Sequence, residues 1–228
     1  MSRARVQLAD VSRDYSIAAG CDAVYEVTDA DMGVVGFIAL HDLTRGPGFG
    51  GVRRLRYASK HAAVRDVVML AEQMTLKTTL ANLPVGGAKG ALVDRPGLDV
   101  ERAYEALGDA VAELDGAYFC GPDVGTGATE LSYVRRRTDF VNHLHNQPAS
   151  STAKGVLLAC EAALAHVAVL EGETLRFEAT VQGVGSVGRV VAEGLEIRGG
   201  RLAIADIDPD RVNAVMQLLN GATLLSPD

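Results

Sequence analysis

The chain has 228 residues, is 48% hydrophobic and carries a formal net charge of −7 at pH 7, which predicts a soluble globular protein and disfavours a nucleic-acid partner. No window approaches the roughly 20 apolar residues of a membrane-spanning helix, and the first ten residues lack the apolar segment of a secretory signal. The three cysteines, Cys21, Cys120 and Cys160, lack metal-ligand spacing, so we expect no metal site and a reducing, cytoplasmic compartment.

The first predicted element is a β-hairpin. Residues 1–20 give little signal, whereas two β-rich runs between Asp22 and Leu43 are joined by a turn at Asp29–Gly33. The next segment, Arg45–Arg54, is too rich in glycine for either regular element. We therefore predict a loop whose exposed peptide groups could hold a carboxylate.

Two lysines, Lys77 and Lys89, mark the stretch around which the chain is organised. Ser59 caps a predicted helix that delivers Lys77, and a bend at Pro84–Gly87 leads to Lys89 and a short strand, Gly90–Val93. Two ammonium groups folded toward one pocket lower each other's pKa. That suits one lysine for holding an anionic substrate group and the other for acting as a base. The alternative is an ordinary helix, turn and strand with two surface lysines.

A carboxylate follows the next predicted strand. Asp99 caps a second helix, Ala117–Cys120 forms a buried strand, and Asp123 lies in the glycine-rich turn after it. Ligands gather at strand ends in α/β sheets, so Asp123 is a candidate for proton transfer. A turn aspartate that binds its own backbone is the alternative.

A polar helix and a linker separate this half from the next. We predict a helix at 130–142 with a solvated arginine face, and loop histidines without a metal site. The composition becomes linker-like at Asn146–Ser151. Thr152–Leu170 then reads as a nearly all-apolar helix that must be buried. The arginines are Arg135, Arg136 and Arg137, and the histidines are His143 and His145.

The second half carries a dinucleotide fingerprint. A strand runs into Gly183-x-Gly185-x-x-Gly188, a helix follows, and a second strand ends at Asp206. The glycines permit a tight turn, approach of a pyrophosphate to backbone N–H groups, and close helix–strand packing. Asp206 would accept hydrogen bonds from the ribose hydroxyls and repel a 2′-phosphate, which favours NAD over NADP.

Taken together, the sequence resembles the glutamate/leucine/phenylalanine/valine dehydrogenase family from about Gly20 onward. The resemblance rests on GPGFGGVR, the lysine stretch MTLKTTLANLPVGGAKG, GPDVGT, STAKGV and VQGVGSVG, all in the family's order. It implies an α/β fold, with an amino-terminal substrate and oligomerisation domain at 1–148. An incomplete Rossmann (doubly wound) NAD domain follows at 149–228 and begins with its linking helix. Catalysis would take place in the cleft between them, and the protein would form a homo-oligomer through the first domain.

The resemblance also implies roles for individual residues. Lys77 would bind the substrate α-carboxylate, Lys89 would activate water, and Asp123 would move the amino-group proton. The remaining substrate contacts would come from Gly50, Gly51, Phe49, Met74 and Gly121. The cofactor contacts would come from Thr152, Gly183, Gly185, Ser186, Val187, Gly188 and Asp206.

The expected reaction is NAD-dependent oxidative deamination of an apolar L-amino acid to its 2-oxo acid and ammonia, and the reverse. Glutamate-specific relatives carry a lysine where this chain has Phe49, whereas Gly121 leaves room for a bulky substrate. Ala88 replaces a glycine of many relatives, and the family continues past the third Rossmann strand. The alternative is therefore a truncated, non-catalytic nucleotide-binding or subunit-interaction derivative of such an enzyme.

Overall fold

A mixed six-stranded sheet organises the first of the two units into which the chain divides, Met1–Leu144 and His145–Asp228. The computed structural model describes residues 6–142, 148–171 and 177–226. The strand order is β1-β2-β3-β5-β4-β6, in which β4 runs parallel to both β5 and β6 and the other neighbours are antiparallel. The strands are β1 (Val6–Asp10), β2 (Ala23–Asp29), β3 (Gly33–Asp42), β4 (Gly48–Leu55), β5 (Gly86–Val93) and β6 (Tyr118–Gly121).

Helices cover both faces of this sheet and bury two apolar clusters. The helix α1 (Lys60–Leu80) packs on one face, and α2 (Val100–Glu113) and α3 (Ala128–Arg135) pack on the other. The predicted helix caps are confirmed, because the Ser59 hydroxyl accepts from the Ala62 N–H and the Asp99 carboxylate accepts from the Arg102 N–H. This arrangement confirms the α/β class expected from the sequence.

The predicted hairpin is confirmed as β2 and β3, but the strand before it was missed. Strand β1 pairs with β2, and a short 3-10 helix, Ser16–Gly20, follows it. Five residues of weak alternation are too few to be recognised without the neighbouring strand that pairs with them.

The prediction of a loop at Arg45–Arg54 is wrong, because Gly48–Leu55 forms β4 between two parallel partners. Its glycines allow the β4 backbone to lie close to its neighbours rather than to form a turn. A Cβ at Gly50 would lie 1.7 Å from the Ala88 carbonyl oxygen on β5. The bend predicted at Pro84–Gly87 is also displaced, because Gly86 already begins β5. Chain reversal occurs before it, directly after α1.

The polar helix predicted at 130–142 is shorter than expected, since α3 ends at Arg135. Its arginines do not form a simple solvated face. Arg136 and Arg137 both pair with Glu105 on α2, and the Arg135 guanidinium donates to the Asn142 carbonyl. These ion pairs link α2 to α3. The predicted loop histidines, His143 and His145, lie outside the described residues.

In the described part of the second unit, three parallel strands lie in the order β7-β8-β9, each joined to the next by a helix. This is the beginning of a doubly wound fold, as the fingerprint predicted. The boundary that the sequence predicts after residue 148, between a substrate domain and an NAD domain, stays a prediction. The elements are α4 (Pro148–Glu171), β7 (Glu178–Gln182), α5 (Ser186–Ile197), β8 (Arg201–Ala205), α6 (Pro209–Met216) and β9 (Thr223–Leu224).

The prediction that the apolar helix is buried is wrong for α4. Among its described side chains, only Ala153 and Leu157 are buried, and Leu158 is 52% exposed. The helix packs along one stripe on α5, where Leu157 lies against Gly194. An apolar groove of about 480 Å³ is lined by α4, β7 and α5. In the part of the chain that the structure describes, neither α4 nor any other helix is long and apolar enough to cross a bilayer.

Candidate active site

The centre of the candidate site is a buried ion pair between Lys89 and Asp123. Lys89 lies in β5, on the face of the sheet that α1 covers, and is only 6% exposed. Asp123 follows β6, two strands away, and its Oδ2 lies 2.7 Å from the Lys89 Nζ. Because β5, β4 and β6 run parallel, residues far apart in sequence meet on one face of the sheet.

The surroundings of this pair perturb both of its pKa values. Burial is the largest effect on Lys89 and lowers the pKa of its ammonium group, and the charges of Arg53 and Lys77 add to this effect while Asp123 opposes it. Burial raises the pKa of the Asp123 carboxyl. The Lys89 hydrogen bond and charge, the Val124 N–H and the Arg53 charge outweigh burial, so the pKa of Asp123 is lowered overall. An ionised carboxylate thus lies beside an amine that loses its proton more easily than ordinary lysine.

An arginine that the sequence analysis did not select completes this cluster. The Arg53 Nε donates to the Asp123 Oδ2 over 3.1 Å, and the Arg53 Nη1 lies 3.4 Å from the Asp66 Oδ1 on α1. The Tyr57 hydroxyl donates to the Asp66 Oδ2 over 2.8 Å. Recognition of β4 as a strand would have placed Arg53 on the opposite face from the buried Val52, but its partners could be identified only from the sheet order.

Lys77 and Met74 approach the site from the last turns of α1. Lys77 is exposed, and its charge lowers the pKa of Lys89. Met74 lies one turn earlier, and a Cβ at Gly50 would be 3.4 Å from its Cγ. The Met74 thioether side chain therefore faces Gly50 from the helix, and the Lys77 ammonium group lies close enough for its charge to act on Lys89.

The paired glycines lie directly against the catalytic candidates. A Cβ at Gly51 would be 2.8 Å from the Asp123 Cβ, so no larger residue fits without displacing the carboxylate. The carbonyl groups of Gly50 and Gly51 accept from the buried Tyr118 hydroxyl over 3.1 and 3.3 Å. That hydroxyl was also missed by sequence analysis, which treated Tyr118 only as part of a strand.

Two further predicted substrate contacts lie on neighbouring strands. Phe49 is half-buried in β4, where it pairs with Gly87 on one side and Phe119 on the other. Gly121 is buried at the end of β6, and its closest neighbour on the side of a Cβ is Asn142, at 3.5 Å.

Two of the fingerprint glycines of the second unit, Gly183 and Gly188, occupy positions that larger residues could not. Gly183 adopts a φ of +87°, in the left-handed region, and a Cβ at Gly188 would lie 1.8 Å from the Gly183 carbonyl oxygen. Gly185 precedes α5, whose first two residues, Ser186 and Val187, present backbone N–H groups at the helix start. This geometry fits a dinucleotide pyrophosphate.

Asp206 lies beside the fingerprint loop. Its carboxylate accepts from the Val184 N–H over 2.7 Å and the Asp208 N–H over 2.9 Å. These backbone hydrogen bonds lower the pKa of Asp206, so the group is ionised near neutral pH and retains lone pairs for a ligand. Arg211, missed by sequence analysis, pairs with Asp208 and lies 3.6 Å from the place where a Gly185 Cβ would be.

The last predicted cofactor residue, Thr152, lies exposed in the first turns of α4, in the same unit as the fingerprint. The predicted site residues thus divide between the two units, with Lys89, Asp123 and Gly51 in contact in the first and the fingerprint loop and Asp206 in contact in the second. Within the described ranges, no group of three or more His, Cys, Asp or Glu side chains could hold a metal ion, and the three cysteines are unpaired thiols.

Similar proteins were found among protein families, characterised proteins and solved structures. Residues 22–140 match the family model described as the Glu/Leu/Phe/Val dehydrogenase dimerisation domain. Leucine dehydrogenase from Bacillus cereus is 33% identical to this chain over 210 residues. The matched region covers 88% of this chain and 56% of that protein. Phenylalanine dehydrogenase from Lysinibacillus sphaericus is 33% identical to this chain over 199 residues. The matched region covers 83% of this chain and 51% of that protein.

Among solved structures, L-tryptophan dehydrogenase from Nostoc punctiforme is similar with a TM-score of 0.69 and 30% identity. The match covers 91% of this chain and 60% of that one. The chain therefore spans about half the length of the curated relatives that it matches.

Proposed function

Because the chain belongs to the Glu/Leu/Phe/Val dehydrogenase family, we propose that it catalyses NAD-dependent oxidative deamination of an apolar L-amino acid. The products are the 2-oxo acid and ammonia, and the reverse reaction is reductive amination. The carrying observation is the contact of 2.7 Å between the buried Lys89 Nζ and the Asp123 Oδ2. A base with a lowered pKa beside an ionised carboxylate is what hydrolysis of an imine-type intermediate requires.

Each side chain has one part in the proposed chemistry. The exposed ammonium group of Lys77 and the backbone at Gly50 and Gly51 hold the substrate α-carboxylate. Neutral Lys89 takes a proton from the attacking water, because burial and neighbouring cations disfavour its charged form. Asp123 exchanges a proton with the substrate nitrogen. When bound, NAD supplies the acceptor for the hydride that leaves the substrate Cα.

The residues of the second unit support NAD as the cofactor. Gly183, Gly185 and Gly188 would hold the pyrophosphate at the start of α5, together with the N–H groups of Ser186 and Val187. Ionised Asp206 would accept from the ribose hydroxyls and repel the 2′-phosphate of NADP. Thr152 stays the proposed contact to the nicotinamide amide.

Phe49 supports an apolar substrate, because a side-chain carboxylate buried beside it without a cation would cost several kcal/mol. Met74 would line the same side of the substrate, and Gly121 would leave it space. The first unit matches a dimerisation domain, which supports a homo-oligomer as the working form. The cytoplasm is the compartment that suits three unpaired cysteines.

The test is a substrate panel with the protein expressed from its complete reading frame. NADH formation is followed with leucine, valine, phenylalanine, tryptophan, glutamate and alanine. We expect one or more of the bulky apolar amino acids to be oxidised and glutamate to give no signal. A folded, NAD-binding protein that oxidises none of them contradicts the proposal, and glutamate as the best substrate contradicts the substrate class.

A further inference from the structure

Arg53 is held between two carboxylates that belong to different elements. On one side its Nε donates to the Asp123 Oδ2, and on the other its Nη1 lies within 3.5 Å of both Asp66 oxygens. Asp66 in turn accepts from the Tyr57 hydroxyl. All of these contacts lie in partly buried surroundings, with the Arg53 side chain 22% exposed.

The decisive feature is that Arg53 and Lys89 share one oxygen. The Arg53 Nε lies 3.1 Å and the Lys89 Nζ lies 2.7 Å from the same Asp123 Oδ2. The guanidinium group cannot lose its proton at any ordinary pH, whereas the lysine can. Two cations at one carboxylate oxygen therefore compete, and loss of the Lys89 proton relieves the competition.

We propose that Arg53 is a positioning residue that sets the basicity of Lys89, and that Asp66 limits this action by holding the guanidinium group from the other side. The proposal rests on the proposed function, since it assigns Lys89 the role of base. It extends the site from the predicted lysines and aspartate to a chain of contacts that runs from Tyr57 through Asp66 and Arg53 to Asp123.

The charged groups that face Lys89 come from three elements. Arg53 approaches from β4, Lys77 from α1 and Asp123 from the segment after β6. Removal of Arg53 takes away a nearby positive charge and removes one of the two cations that pair with Asp123. Both changes favour the charged form of Lys89, so its pKa must rise.

Removal of the Asp66 charge must act in the opposite direction. Asp66→Asn weakens the hold of α1 on the guanidinium group, whose charge is then directed more fully at Asp123. Asp123 becomes a poorer partner for Lys89, and the lysine pKa falls. If Arg53 only linked β4 to α1, removal of Arg53 and removal of the Asp66 charge would break the same link. The two substitutions would then not shift the pKa of Lys89 in opposite directions.

The experiment reads the titration of Lys89 directly. The chain contains four lysines, namely Lys60, Lys77, Lys89 and Lys154. Selective ¹³C labelling of lysine gives one Cε signal for each lysine in a heteronuclear NMR spectrum, and Lys89→Arg identifies the signal of interest by its loss. The midpoint is measured in the unmutated protein, Arg53→Met, Arg53→Lys and Asp66→Asn. Arg56→Met is the matched control, because it removes the same charge at an exposed position outside the cluster.

We expect Arg53→Met to raise the Lys89 midpoint by about one pH unit, which is about a tenfold loss of neutral amine near pH 7. Arg53→Lys should give a smaller rise, because it keeps the charge but loses the fork that reaches both carboxylates. Asp66→Asn should lower the midpoint, and Arg56→Met should leave it in place. The Lys60 and Lys154 signals report whether each variant is folded. If Arg53→Met does not fold, the shifts in Asp66→Asn and Arg53→Lys test the role of Arg53.

The proposal is overturned if Lys89 titrates unchanged without Arg53, or if the Arg53 and Asp66 variants shift its midpoint in the same direction. Because the titration needs no turnover, its outcome is separate from that of the proposed function. A protein without dehydrogenase activity whose Lys89 midpoint moves in these two directions contradicts the function and supports the role of Arg53. An active dehydrogenase without these shifts supports the proposed function and contradicts the role of Arg53.

Discussion

Replacement of Lys89 by methionine should remove catalysis while leaving the fold nearly intact. The methionine side chain has a similar length and is apolar, so it fills the space of a residue that is 6% exposed. Asp123 keeps two partners, the Arg53 guanidinium and the Val124 N–H, so the substitution does not leave an unpaired buried carboxylate. We therefore expect a change in the free energy of unfolding of no more than about 2 kcal/mol, well below the roughly 3–5 kcal/mol of breaking an otherwise unpaired buried ion pair.

The catalytic loss should be much larger than this structural effect. A general base contributes about 10²–10⁴ in rate, which corresponds to roughly 3–6 kcal/mol of the activation barrier. In the unmutated enzyme, kcat should rise as pH increases through the lowered pKa of Lys89, because the neutral amine is the active form. This rise should be absent from the residual rate of the variant.

The assay combines steady-state NADH formation across a range of pH with urea unfolding of the same preparations. Lys60→Met is the matched control, since it removes an exposed lysine that pairs with Glu26 away from the site. A Lys89→Met enzyme that keeps more than a tenth of its turnover would refute the assignment of the base. Loss of the folded state in this variant would instead contradict the expected small change in the free energy of unfolding.

Three other substitutions test binding roles. Lys77→Met should raise KM for the amino acid more than it lowers kcat, because its proposed partner is the substrate carboxylate; an unchanged KM contradicts this. Asp206→Ser should narrow the preference for NAD over NADP, measured as a ratio of kcat/KM values, because an ionised carboxylate no longer faces the 2′-phosphate and Arg211 lies nearby. Equal use of NAD and NADP by the unmutated enzyme would contradict the proposal that Asp206 repels the 2′-phosphate. Phe49→Lys should introduce activity with glutamate and reduce it with leucine, and a variant still inactive on glutamate shows that Phe49 does not select the side chain.

Features with local causes could be predicted from the sequence. The caps at Ser59 and Asp99 depend on a side chain and a backbone N–H three residues away, so the beginnings of α1 and α2 follow directly. The fingerprint glycines also act within one turn, and the βαβ unit around Gly183 has the predicted order of elements. In these cases the sequence segment contains both partners of the interaction.

Features that depend on distant partners could not be predicted in this way. The apolar composition of α4 shows that it can be buried, but not which element would cover it, and most of its described side chains are exposed. Arg53 was overlooked for the same reason. Its partners, Asp66 and Asp123, lie 13 and 70 positions further along the chain, and only the sheet order brings them together.

The misassigned strand β4 explains why the site forms where it does. Glycine lowers the intrinsic preference for a strand, yet here two glycines let the backbone lie in contact with its neighbours. A Cβ at Gly50 would overlap the Ala88 carbonyl, and one at Gly51 would meet Asp123. Without these two side chains, β4 lies close to β5 on one side and to the segment of Asp123 on the other, so that Lys89 can reach across β4 to the carboxylate. The same glycines that argue against a strand by propensity are therefore what allows a buried lysine and an aspartate, two strands apart, to lie 2.7 Å from each other.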